Sequence, residues 1–321
     1  MKRWACGDFA TAAVPAGAPE MEAYVEELSL QIRRKAKEGE LGAVETVYLG
    51  GGTPSHVGLA GLSMLLYTLS LSMHLTDEVE CTMEANPESL TERMVRDIWA
   101  LGVNRLSIGV QSFDDDVLRT LGRAHSSDDA RRAIEAARTR FENVSVDLMC
   151  GIPGQSAESF EASAREAVRL GATHVSVYPL TVEPHTPFDA AVLAGELEEP
   201  DDDVEAAHMQ IAARVLDSEG FARYEVASYA RPGFACRHNI AYWTGVPYLG
   251  LGRSAATMTQ NAQRRMRVKD GQVTDALDPR QLAAENLMLG MPTTAGVSDE
   301  HARRAAEFFT RATHVLGHLA P

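Results

Sequence analysis

A chain of 321 residues, 45% hydrophobic and 23% charged, suits one large α/β domain with an appendage or two medium domains. Its 45 acidic against 30 basic residues give a formal charge of −15, which repels nucleic acid phosphates and anionic lipid and argues against a polyanion binder. No apolar run reaches the ~18 residues of a membrane span and no basic-then-apolar leader opens the chain, so a cytoplasmic location is expected.

From residue 18 to about 180, helical patterns alternate with short β-rich segments, the rhythm of βα units and a parallel sheet. Strands are expected at Thr46–Leu49, Val79–Met83, Arg105–Val110, Val144–Met149 and His174–Tyr178. Helices are expected at Glu20–Lys37, Leu59–Ser72, Thr91–Leu101, Ser127–Arg140 and Ala157–Leu170, with Ser89 and Ser127 as candidate caps. The acidic stretch Gly195–Asp203 reads as a boundary. Beyond it come a helix over Asp203–Glu219, short extended segments at Arg223–Tyr229 and Asn239–Trp243, a helix over Pro279–Leu289 and one amphipathic helix from His301.

Each expected strand runs straight into glycine or polar residues, the positions that build sites on the C-terminal face of a βα barrel. After the first lies Gly50-Gly51-Gly52-Thr53-Pro54-Ser55, where glycines admit close backbone approach or positive φ. Alone, this segment is equally a bare tight turn, and no GK[ST] follows to mark a phosphate loop. Asp147 is a carboxylate inside the apolar string Val144–Cys150, costly unless paired or facing a polar site. Arg123 is open to reading as a solvated helix-end cation. The cysteines, Cys6, Cys81, Cys150 and Cys236, lie far apart with no CxxC or CxxxC spacing.

Glu84-Ala-Asn-Pro87, Gly109-Val-Gln-Ser-Phe113 and Val146-Asp147-Leu-Met-Cys-Gly-Ile-Pro153 stand in order at successive strand ends. With Gly102–Ser107, Leu121-Gly-Arg-Ala-His125 and Arg237-His238-Asn239-Ile-Ala-Tyr242-Trp243 followed by Tyr248–Gly252, they resemble a family of radical S-adenosylmethionine (SAM) proteins, the coproporphyrinogen dehydrogenases and HemW heme chaperones. The resemblance covers roughly residues 8 to 295. It implies an incomplete parallel (β/α) TIM-like barrel of radical SAM type over residues 1–195, lacking its first strand, with a smaller C-terminal α+β region over 196–321.

The resemblance further implies that Gly51, Gly52 and Thr53 cup the amino and methionyl part of SAM, with Glu84, Gln111, Arg123 and Asp147 lining the rest. Such a set suits a zwitterionic sulfonium, which calls for carboxylates, backbone carbonyls and one guanidinium. His238 of the HNxxYW motif matches the heme-handling element of the HemW branch; imidazole is an apt axial ligand, though a lone histidine also serves as a structural hydrogen-bonder. Heme or a porphyrin and heme-accepting proteins are the implied partners.

The pattern breaks at the start. Family members carry CxxxCxxC for a 4Fe–4S cluster, followed in the HemW branch by Asp-Phe; aligning Asp8-Phe9 puts Gly7 and Trp4 in cysteine positions and leaves Cys6, off by one, as the remnant of the motif. Either the start is truncated or the chain is a degenerate homologue, and as written it is expected neither to hold the cluster nor to perform radical chemistry. Pro292 stands where an arginine is usual, and Gly252-Arg253-Ser254-Ala255 replaces Gly-Pro-Gly-Ala. A heme-binding and delivery protein is the leading expectation. Oxygen-independent coproporphyrinogen III dehydrogenase is the alternative, and a cofactor-free scaffold stays open.

Overall fold

A computed structural model describes residues 18–316. Two compact units are present, Met1–Arg223 with Ala227–Ala235, and Tyr224–Val226 with Cys236–Pro321.

In the first unit, α1 (Pro19–Lys37) leads to β1 (Ala43–Leu49), α2 (Gly58–Ser72), β2 (His74–Ala85), α3 (Glu92–Ala100) and β3 (Arg105–Gln111). Then follow α4 (Asp115–Thr120), α5 (Ser127–Arg138), β4 (Asn143–Cys150), α6 (Ala157–Arg169), β5 (His174–Pro179), α7 (Pro187–Leu193), α8 (Asp202–Ser218), β6 (Ala222–Arg223) and β7 (Ser228–Ala230). The sheet order is β1-β2-β3-β4-β5-β7-β6, with β1 to β5 parallel and β7 and β6 antiparallel additions. Five parallel strands in unbroken chain order, with no reversal of direction along the sheet, form the partial barrel that the βα rhythm predicts, rather than a doubly wound sheet.

Period-2 patterning gives the sheet two unlike faces. Leu106, Ile108 and Val110 of β3, Val144, Val146 and Leu148 of β4, and Val175 and Val177 of β5 are all fully buried on the apolar face. Buried residues of the helices include Val95 and Ile98 of α3, Ala133, Ile134 and Ala137 of α5, and Phe160, Ala164 and Ala167 of α6. Each fully buried branched side chain contributes about 1.5–3 kcal/mol. The other face carries Thr82, Glu84, Arg105, Ser107, Ser145, Asp147, His174 and Ser176, so the lumen is polar. A second cluster of Val117, Leu121, Ile152, Leu180 and Phe188 lies beyond the strand ends.

Two helix caps shift by a residue or two from expectation. Thr91, not Ser89, caps α3 by accepting from the Met94 N–H. Ser126, not Ser127, caps α5 in a capping box with Asp129. The boundary between units falls near 224–236 rather than at 195–196, because α8 packs on α6 and β7 extends the sheet beside β5.

The second unit holds α9 (Arg237–Trp243), an antiparallel sheet of β8 (Ala256–Gln260), β9 (Arg265–Lys269) and β10 (Gln272–Leu277), then α10 (Pro279–Gly290) and α11 (Asp299–Leu316). Asn239–Trp243, expected as extended, is helical: the Ile240 and Thr244 N–H groups bond back to the Cys236 and Ile240 carbonyls. Fully buried Arg265 of β9 donates to Gln260, Glu285 and Asn286, tying the sheet to α10. No helix among the described residues is long and apolar enough to cross a membrane.

Candidate functional site

The polar lumen opens at the strand ends where the glycine turn lies. Gly50 is required by close approach: a Cβ there would sit 2.6 Å from Tyr48 Cε1 and 3.0 Å from Glu84 Cδ. Gly51 follows at φ 103°, a conformation glycine adopts without strain, and its N–H donates to Glu84 Oε2 at 3.2 Å. The Tyr48 hydroxyl donates to the other oxygen, Oε1, at 2.7 Å. Burial pushes the Glu84 carboxyl up, the Tyr48 hydrogen bond opposes that, and the nearby Asp147 charge adds to it. Burial, with the Glu84 and Asp147 charges, likewise holds the Tyr48 phenol protonated far above its ordinary range.

Asn86 joins the next two groups. Its Nδ2 donates to Thr53 Oγ1 at 3.0 Å, and its Oδ1 accepts from Arg123 Nη2 at 3.0 Å. The same guanidinium nitrogen donates to the Gly109 carbonyl at 2.8 Å. A Cβ on Gly109 would lie 3.0 Å from Gln111 Nε2, 3.3 Å from Asn86 Oδ1 and 3.4 Å from Arg123 Nη2, so three side chains meet over this glycine. Gln111 reaches in from a left-handed backbone, φ 68°, after a register shift between Ile108 and Gln111. Such strain in a non-glycine residue clusters at functional sites. Buried His125 braces this strand end, with Nε2 3.0 Å from the Val110 carbonyl and Nδ1 3.3 Å from Glu88 Oε2.

Asp147 faces the lumen from β4. Ser107 Oγ lies 3.1 Å from both carboxylate oxygens and Ser145 Oγ 3.4 Å from Oδ1. Burial pushes this carboxyl up, while the Arg105 charge and the hydroxyls of Ser107, Ser145 and Ser176 pull it down. Thus Gly51 and Glu84 form one bonded group, Thr53 and Arg123 a second through Asn86, Gln111 meets the second at Gly109, and Asp147 couples electrostatically to Glu84. Gly52 is exposed in the turn between them.

Tyr48, Asn86, Arg105, Ser107 and Ser145 are members of this arrangement that sequence reading passed over. Their signal was the polar alternation Arg105, Ser107, Gly109, Gln111 on one strand and Ser145, Asp147 on the next.

Cys81 and Cys150 are single, buried thiols, each pushed up to about 12 chiefly by burial and so protonated at neutrality; Cys236 is buried as well. No group of three His, Cys, Asp or Glu side chains that could hold a metal occurs among the described residues. These thiols therefore do not fit a 4Fe–4S cluster. Cys6 lies outside the described residues.

In the second unit, α9 buries none of its residues. The His238 and Tyr242 rings, one turn apart, meet edge-on with centroids at 4.9 Å, and Tyr242 meets Tyr248 at 4.6 Å. Tyr242 and Val246 are exposed.

Two curated relatives set this geometry in a family. The heme chaperone HemW of Synechocystis is 33% identical over 86% of this chain and 70% of its own length. That of Bacillus subtilis is 34% identical over 84% and 74%. The chain belongs to the HemW family of radical SAM proteins. Residues 14–167 match the model of the radical SAM superfamily. Among solved structures, the radical SAM enzyme coproporphyrinogen III oxidase (HemN) of Escherichia coli shares the fold, with a TM-score of 0.74, 20% identity, and 94% of this chain and 76% of that one covered. Family membership carries with it SAM and a 4Fe–4S cluster as the family's cofactors.

Proposed function

We propose that this chain is a heme-binding and heme-delivering protein whose partial barrel binds SAM without holding the family cluster. The observation that carries the heme reading is α9, a helix with no fully buried residue, on which the His238 imidazole meets Tyr242 edge-on and Tyr242 in turn meets Tyr248. A flat apolar macrocycle needs such a face, and its iron an imidazole nitrogen. The likeness to proteins named heme chaperones supports this reading.

The lumen fits SAM by the chemistry of its donors and acceptors. Glu84 and Asp147 supply anionic acceptors for an ammonium or sulfonium, Arg123 a planar donor for a carboxylate, and Gly51 and Gly52 exposed backbone for close approach. SAM would supply a sulfonium and a zwitterionic methionyl group; its reductive cleavage needs an iron–sulfur cluster, so no radical step is assigned to this chain. Tyr48 and Gly51 fix both oxygens of Glu84, while Asn86 holds Arg123 in register with Thr53. The test is a pair of titrations on the full chain. Hemin followed by absorbance should saturate in wild type and weaken in His238→Ala, and SAM by calorimetry should bind wild type and weaken in Glu84→Gln. Heme binding unaffected by His238→Ala would refute the α9 assignment.

A further inference from the structure

We infer that Arg265 is a positioning residue for His238: its guanidinium, packed against Gly245, fixes the C-terminal end of α9 and with it the direction in which the imidazole is presented. This rests on the reading of His238 as the heme ligand and goes one layer deeper. No residue of α9 is fully buried, whereas the residues that flank it, Cys236 and Gly245, both are. A seven-residue helix is too short to hold its place by its own hydrogen bonds, so its packed ends carry its orientation.

Gly245 closes α9 in a Schellman turn. It stands at φ 72°, its N–H donates to the Tyr242 carbonyl at 3.1 Å, and the Val246 N–H donates to the Ala241 carbonyl at 2.9 Å. A Cβ on Gly245 would overlap Arg265 Nη2 and lie 3.5 Å from Cζ and 3.6 Å from Asn286 Oδ1. The guanidinium thus fills the space where a side chain would stand, and its charge has the sign that the carbonyl end of a helix favours. It has little freedom to give way. Arg265 is fully buried, with Nε donating to Gln260 Oε1 at 2.7 Å, Nη2 to Asn286 Oδ1 at 2.8 Å and Nη1 to Glu285 Oε2. Glu285 is held in turn, because its other oxygen, Oε1, pairs with Arg267 Nη2 at 2.8 Å. The support from β9 and α10 therefore passes through Gly245 into the last turn of α9, which carries Tyr242, and the Tyr242 ring meets His238 edge-on at 4.9 Å. Tyr242 also meets Tyr248, whose backbone pairs with Met258 of β8.

The deciding experiment does not need heme. Imidazole ¹H–¹³C resonances of the full chain, with His238 assigned through His238→Ala, report the Tyr242 ring current. They are compared in wild type, Gly245→Ala, Arg265→Lys and Gly271→Ala, with circular dichroism to report folding. Gly271 is the control: it has the same left-handed backbone, φ 77°, with no atom within 4 Å of a Cβ, so alanine there brings the strain without the clash. Gly245→Ala should move the His238 resonances toward those of an unpacked histidine. Arg265→Lys should do the same, since one ammonium cannot replace a fork that serves Gln260, Glu285 and Asn286 at once. In the double variant the two shifts should not add, because both changes act at one contact. Unmoved His238 resonances in a folded Gly245→Ala protein, an equal shift in Gly271→Ala, or additive shifts overturn the inference. Where Gly245→Ala does not fold, Arg265→Lys decides in the same way. Where neither folds, wild type decides: a nuclear Overhauser effect between the Arg265 Nη2 protons and Gly245 Hα supports the contact and its absence contradicts it. Heme titration is the separate arm: Gly245→Ala should bind roughly tenfold more weakly while Gly271→Ala matches wild type, and equal affinity in Gly245→Ala would remove the positioning role. A chain whose His238 resonances respond as expected but whose wild type takes up no heme would sink the heme reading while leaving Arg265 as the residue that orients His238.

Discussion

The Arg123 guanidinium reaches across to Asn86, Nη2 to Oδ1 at 3.0 Å, and through that amide is tied to Thr53 of the glycine turn. Asn86 is 4% exposed, so both bonds are shielded from competing water. Asn86→Ala frees Arg123 from one partner and Thr53 from its donor together. The loss should cost about 1–3 kcal/mol of SAM binding, roughly ten- to hundredfold in affinity, measured by calorimetry. Asn86→Asp keeps the acceptor for Arg123 and should lose less. Equal affinities for wild type and Asn86→Ala would remove Asn86 from the site.

Gly109→Ala tests the meeting point of three side chains. The added methyl comes within 3.0 Å of Gln111 Nε2 and 3.4 Å of Arg123 Nη2, both ends of long side chains that can move. The fold should therefore survive with a stability loss of about 1–3 kcal/mol by denaturant unfolding, while SAM binding suffers more. A variant with wild-type SAM affinity would contradict the convergence of these groups on one ligand.

Acid stability follows from a bridge between α5 and α6. Glu166 accepts from Arg131 Nε at 2.7 Å and from Arg169 Nε at 2.6 Å, and these partners, Arg169 foremost, lower its carboxyl from 4.5 to about 2. A depressed carboxyl contributes stability that is present above 4.5 and lost as pH falls toward about 2. Arg169 is largely exposed, so solvent screening limits the contribution to on the order of 1 kcal/mol. Glu166→Gln should lower stability by that amount at neutral pH and flatten the acid limb of its pH dependence. A parallel acid limb in the variant would count against the bridge.

Anaerobic iron–sulfur reconstitution of the chain should yield substoichiometric iron and sulfide and no deoxyadenosine from SAM. Cys81, Cys150 and Cys236 are buried and belong to no group of three potential metal ligands among the described residues, Cys81 and Cys150 are raised to about 12, and one thiolate cannot replace three. A brown protein with a band near 400 nm that bleaches with dithionite would overturn this.

The parallel barrel strands were legible in the sequence because each is an apolar run closed by glycine or a polar residue, and the intervening helices carry their own periodicity. Less legible was the second unit. Asn239–Trp243 has the aromatic and β-branched content of a strand, yet only a short turn of helix satisfies its backbone. Strand β9 reads Arg265-Met-Arg-Val-Lys269, and its buried Arg265 makes sense only beside Glu285 and Asn286, twenty residues on. Within the site, motif residues stood out singly, whereas the partners that fix them, Tyr48, Asn86 and Ser107, act across 33 to 40 residues of chain, a separation that local pattern does not register.

Heme titration of the full chain, wild type against His238→Ala, tests the proposed function most directly. Wild type should develop a saturable Soret band at about one heme per chain, with an axial histidine signature in its resonance Raman or paramagnetic spectrum, and His238→Ala should lose that signature and bind heme at least roughly tenfold more weakly. Non-saturating absorbance in wild type, or an identical spectrum and affinity in His238→Ala, would contradict the account.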